Sequence, residues 1–148
     1  MPTTPEILEI ERHFKADPER LFDAFASYEG MKAWFGPGEC HVIDGELEFE
    51  VGGRYRLRVQ TEESGEVEVV GVYQTVERPH RISFTWRWQG NPTFQAADSV
   101  VDITFDPQGN GTLLRLVQTG IQEDEARANH GHGWNGAFDK LEAIFSST

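Results

Sequence analysis

The residues best placed to do chemistry are those of His130-Gly131-His132-Gly133-Trp134-Asn135-Gly136, near the end of a 148-residue chain. On a helix turning about 100° per residue, His130 and His132 stand about 200° apart, so they cannot share a metal ion; that needs a spacing of three or four. Gly131 to Gly136 satisfies the letters of a dinucleotide fingerprint, but that motif needs a strand before it and a helix starting at it. Here polar and acidic helical residues come first, so no nucleotide site is expected. Glycines beside Trp134 fit close approach of a helix backbone to a neighbouring element, or room left for a ligand. His130 reads first as a buried histidine bonded to backbone or to a strand residue, and second as a ligand-contacting or acid/base group. Cys40-His41 is a weak metal signal, because adjacent strand residues point to opposite faces. No nucleophile elbow or spaced serine-histidine-acid set is present, and neither cofactor nor metal is expected.

Arg12 interrupts the apolar face of a strand. It either snorkels to the rim or contacts a polar ligand group, since a buried guanidinium needs a partner. The aromatic residues Trp34, Tyr55, Trp86, Trp88, Phe94, Trp134 and Phe138 are each ordinary core residues, yet their concentration is not ordinary. Trp86, Trp88, Trp134 and Phe138 should face one space, and an aromatic cavity suits a planar apolar ligand.

These side chains are carried by elements with readable periods. Over residues 122–145, Ala126, His130, Trp134, Ala137, Phe138, Leu141, Ile144 and Phe145 lie within about 120° of one another, the stripe of an amphipathic helix. His132, Asn135, Asp139 and Glu142 lie away from it, and three acids crowd its first turn. At the other end, residues 7–14 alternate as a half-buried strand. Asp17-Pro18 then starts a helix as N-cap and N1, and a second helix is expected over residues 29–35. From there the period is two. Leu47, Phe49 and Val51 alternate with three glutamates, Gly52-Gly53 turns, and Tyr55, Leu57 and Val59 alternate with three arginines, which predicts antiparallel pairing of an acidic strand with a basic one. Strands follow through Val67, Trp86, Ile103 and Leu116, separated by turns at Glu63-Ser64-Gly65, Pro79-His80 and residues 106–111, and by a loop over residues 89–97. A meander with one apolar face needs a cover, and only the terminal helix is long enough. The order β-α-α-β-β-β-β-β-β-α predicts an α+β helix-grip fold, a curved antiparallel sheet of six to seven strands around a long C-terminal helix. Glycines within strands, Gly71 among them, would permit the bend.

Length fits a single domain over residues 1–148. The net charge of −12 argues against nucleic acid and anionic membrane as partners. With no signal peptide, no apolar run near the ~20 residues that span a bilayer, and a lone Cys40, a cytoplasmic location is expected and membrane insertion is not.

Several motifs carry a resemblance: Glu9-Ile10-Glu11-Arg12, Pro18-Glu19-Arg20-Leu21-Phe22-Asp23-Ala24-Phe25, Lys32-Ala33-Trp34-Phe35-Gly36-Pro37, Val51-Gly52-Gly53-Arg54-Tyr55, Gly71-Val72-Tyr73, Phe84-Thr85-Trp86, Val101-Asp102-Ile103-Thr104-Phe105, and His130 with Gly133-Trp134. Together they resemble the START-like (SRPBCC, helix-grip) superfamily, and within it the bacterial homologues of the activator of the heat-shock protein 90 ATPase. The resemblance covers almost the whole chain. It implies a cavity between sheet and terminal helix and supplies no universal catalytic residue. The expectation is a domain that binds a small hydrophobic or aromatic molecule for sequestration, transport or sensing, through Arg12, Trp34, Tyr55, Trp86, Trp88, Phe94, His130, Trp134 and Phe138. One alternative is a cyclase or aromatase-like enzyme in which His130 or Arg12 polarises a carbonyl. The other, implied by the resemblance alone, is a module that stimulates a chaperone ATPase. A homodimer is left open.

Overall fold

In the computed structural model, which describes residues 7–36, 38–61, 65–89, 99–121 and 123–146, the apolar alternation of the sequence becomes one seven-stranded antiparallel sheet. The strands are β1 (Ile7–Phe14), β2 (His41–Leu47), β3 (Arg54–Gln60), β4 (Glu66–Glu77), β5 (Arg81–Gln89), β6 (Ser99–Gln108) and β7 (Gly111–Thr119). Their spatial order is β1-β7-β6-β5-β4-β3-β2, so β2 to β7 form a meander and β1 closes on β7. Helices α1 (Pro18–Asp23) and α2 (Tyr28–Lys32) connect β1 to β2, and α3 (Asp124–Ser146) covers one face. This is the α+β helix-grip fold. No helix among the described residues is long and apolar enough to cross a membrane.

The helix starts follow from their capping residues. Asp17 accepts from the Arg20 N–H at 2.9 Å with Pro18 just inside, and the Ser27 hydroxyl accepts from the Gly30 N–H at 3.0 Å. The second helix is shorter than the expected 29–35: only 28–32 is regular, and Trp34 and Phe35 bond back to the Met31 carbonyl in a closing turn. Pro37 lies outside the described residues.

The acidic and basic strands pair as their alternation implies, but two residues early. Glu46 faces Arg56 and Asp44 is opposite Arg58, while β2 ends at Leu47. Residues 48–53 form a turn, closed by the Gly53 N–H on the Glu50 carbonyl and by Gly52 at φ 86°, instead of extending the strand. Phe49 is apolar because it packs from this turn against Phe22 and Tyr73, at ring separations of 5.6 and 5.0 Å; Val51 is simply exposed. The turn after β6 is also tighter than expected, since Gly109 and Asn110 alone join it to β7. Of the third expected turn, Glu63 and Ser64 lie outside the described residues.

Gly71 serves the sheet as expected of a strand glycine. A Cβ there would stand 1.9 Å from the Thr85 carbonyl oxygen and 2.5 Å from the Tyr55 ring, so β3, β4 and β5 could not approach as they do. A register shift between Tyr73 and Thr75 adds a bulge to β4.

The core fills the space between the sheet, α3 and the α1-α2 corner. Phe14, Phe22, Phe105, Trp34 and Phe138 are fully or almost fully buried, and full burial of such a side chain is worth about 2–3 kcal/mol. Phe138 joins α3 to β1 through an edge contact with Phe14, ring centroids 5.9 Å apart. The stripe of α3 narrows at its end, where Ile144 is exposed and Phe145 lies under the Arg20 guanidinium.

Candidate functional site

Strand β5 places Phe84, Trp86 and Trp88 at alternate positions on the face turned to α3. Trp86 meets Trp134 of α3 at 5.0 Å between ring centroids and Trp88 edge-on at 5.3 Å. The aromatic convergence expected from the sequence is therefore present.

Beside it is a cavity of about 20 Å³, room for roughly one water molecule. Its walls come from five elements and one corner: Tyr55 and Leu57 of β3, Tyr73 of β4, Ile82, Phe84 and Trp86 of β5, Met31 of α2, Trp134 of α3, and Phe25 after α1. Among the described residues no charged side chain lines it. The Tyr55 hydroxyl donates to the Thr85 carbonyl at 2.6 Å, and burial followed by the nearby Tyr73 pushes its pKa well up. Burial alone raises Tyr73, so both phenols stay neutral.

Of the eight expected site residues that are described, three line this cavity: Tyr55, Trp86 and Trp134. Trp34 and Phe138 pack on each other at 5.9 Å in the solid core beneath. Trp88 and His130 are bonded to each other. The Trp88 indole N–H donates to His130 Nε2 at 2.9 Å, and Nδ1 of the same ring meets the Ala126 carbonyl at 2.8 Å. An indole N–H can only donate, so Nε2 is the acceptor and the proton sits on Nδ1. Burial lowers the His130 pKa, with the Ala126 bond pulling the other way. This is the backbone-bonded histidine of the first reading, with both ring nitrogens committed. His132 is exposed, as its place on the helix requires.

Arg12 does not point into the cavity. Its guanidinium reaches the outer side of α3, 2.8 Å from Asp139 and 3.7 Å from Glu142, which is the rim placement of the first of its two sequence readings. The apolar face of β1 ends at the rim there, and a long side chain finds its partner on the helix. Phe94 lies outside the described residues, as does most of the loop that carries it. The helix glycines divide. A Cβ at Gly131 would touch Leu8 at 3.3 Å, whereas one at Gly133 would meet nothing within 4 Å. Close approach accounts for the first, and nothing in its surroundings requires the second.

Two groups escaped the sequence reading. Gln118 is fully buried, accepting from the Trp134 indole N–H at 2.9 Å and donating to the Ser99 hydroxyl at 2.9 Å. Its signal was its register, since alternation puts it on the inward face of β7 with Leu114 and Leu116. Tyr73 and Phe84 are the other omission, both at inward positions of strands whose alternation was plain.

Residues 15–146 match the family model described as Activator of Hsp90 ATPase homolog 1-like protein. The chain belongs to that family. This family member superposes closely on solved bacterial proteins. A Chromobacterium violaceum protein aligns at 27% identity with TM-score 0.83, over 98% of this chain and 100% of that one. The AHSA1 protein of Silicibacter pomeroyi aligns at 26% identity with TM-score 0.81, over 95% and 97%. A Mesorhizobium loti protein aligns at 26% with TM-score 0.77, over 96% and 98%. No curated protein matches this family member.

Proposed function

We propose that the chain binds a small, largely apolar molecule between α3 and the sheet, at the cavity walled by Trp86, Trp134 and Tyr73, for sequestration, transport or sensing. One observation carries the reading. The cavity lies where the aromatic side chains of sheet and helix converge, and one of its wall residues, Trp86, carries a buried donor, Nε1, that has no partner among the described residues. A volume of about 20 Å³ admits no organic ligand as it stands. Entry therefore requires α3 or the Phe25-Met31 corner to move outward. A cytoplasmic location accords with the lone cysteine.

Titration with a planar apolar probe such as 1-anilinonaphthalene-8-sulfonate is unsuited because of its charge, so a neutral bicyclic probe is used and intrinsic tryptophan fluorescence is read. Quenching or a shift that saturates is expected. No change up to the solubility limit, together with unshifted indole N–H resonances, removes the reading.

A second reading rests on the family's description, by which the chain would raise the ATPase rate of an Hsp90-type chaperone. An unchanged rate at saturating chain discards it. A cyclase-like reaction gains nothing from the geometry, because His130 is bonded at both nitrogens and Arg12 is held by Asp139.

A further inference from the structure

The chain has four tryptophans, and the fates of their indole N–H groups differ in one case. Trp34 donates to the Ala24 carbonyl at 3.0 Å, Trp88 to His130 at 2.9 Å and Trp134 to Gln118 at 2.9 Å. Trp86 is 4% exposed, and its Nε1 is the one buried side-chain polar atom without a hydrogen-bond partner among the described residues. Buried donors are nearly always satisfied, because leaving one unmade forfeits its hydration with no return. The same ring forms part of the cavity wall.

The geometry points to Trp86 Nε1 as the group that selects the ligand of this cavity, a neutral planar molecule whose apolar body carries one hydrogen-bond acceptor such as a ketone oxygen. This rests on the ligand-binding reading above and narrows it to a chemical class. An indole N–H donates and never accepts, so hydrocarbons and pure donors leave it unmade. Neutrality follows from the walls. Among the described residues no charged side chain lines the cavity, and a carboxylate or ammonium would find no counter-charge there among them. Planarity follows from the rings, since six of the nine described wall residues are aromatic and Trp86, Trp134 and Phe84 offer faces and edges. Nε1 has almost no accessible surface while the side chains are closed, so a carbonyl oxygen reaches it only as its apolar body displaces them.

The test compares 1-indanone with indane, which match in shape and differ in the acceptor, on the full chain by calorimetry and tryptophan fluorescence. The ketone is expected to bind about tenfold more tightly than the hydrocarbon. In Trp86→Phe the two should bind alike, while in Trp88→Phe the preference should remain. Equal affinities in the unaltered chain overturn the acceptor requirement but leave the cavity reading standing. A preference that survives Trp86→Phe overturns the assignment to Trp86. Binding of neither compound removes the ligand reading itself. Should Trp86→Phe not fold, the unaltered chain still decides: the Trp86 indole proton resonance moves downfield with the ketone and not with the hydrocarbon, and equal shifts with both refute the proposal.

Discussion

The indole N–H of Trp88 meets Nε2 of His130 at 2.9 Å, fixing a neutral imidazole between strand β5 and helix α3. Protonating that nitrogen would set two N–H groups against each other, in a site whose burial already lowers the His130 pKa below its ordinary 6.5. A histidine whose folded pKa is depressed adds stability that is complete above its unfolded pKa. That contribution is lost as pH falls from there through the folded value. Urea unfolding followed from about pH 7.5 downward should therefore show stability declining below about pH 6.5. His130→Gln should flatten the decline. An equally steep decline in the variant would take His130 out of the pH response.

Gln118 links Trp134 to Ser99 inside the core. Replacing it with leucine keeps the volume but strands the Trp134 N–H, at a cost of about 1–3 kcal/mol. The urea midpoint should fall with the slope unchanged. A neutral result would mean that a water replaces the amide.

Arg12 sits at the rim, its side chain 20% exposed beside Asp139, which is 74% exposed. Such a pair contributes about 1 kcal/mol or less. Arg12→Met should lower stability by no more than that and should leave the affinity of any cavity ligand unchanged. A large loss of affinity would assign Arg12 a ligand-contacting role instead.

The glycines separate cleanly by their surroundings. Gly133→Ala should stabilise by up to about 1 kcal/mol, because its Cβ meets nothing and alanine favours helix. Gly131→Ala should gain less, as Leu8 must give way. Gly71→Ala should be strongly destabilising, because its Cβ would fall on the Thr85 carbonyl. Thermal unfolding of the three variants should rank them in that order, and a stable Gly71→Ala would refute the close approach of β3, β4 and β5.

Much of this fold was legible along the chain because strand alternation and helix capping are local. Arg56 between Glu46 and Glu68 follows from a period of two, and the start of α1 follows from Asp17-Pro18. The end of β2 was not legible. Phe49 continues the alternation, yet its apolar character serves a turn that packs on Phe22, and nothing within residues 46–51 distinguishes the two cases. Ile144 shows the same limit at the other end of the chain, since a position on the stripe of α3 does not tell whether the sheet reaches it.

The sequence by itself determined the helix-grip architecture, the inward direction of Trp86, Trp134 and His130, and the outward direction of His132, since each depends on period and order alone. Only the tertiary structure decided which inward side chains meet. Whether an indole N–H finds an acceptor depends on the distance between elements far apart in sequence: Trp88 found His130 across α3, Trp134 found Gln118 across β7, and Trp86 found none among the described residues. The same distances set the cavity at about 20 Å³. Volume is a difference between packed surfaces, and no single stretch of sequence encodes it.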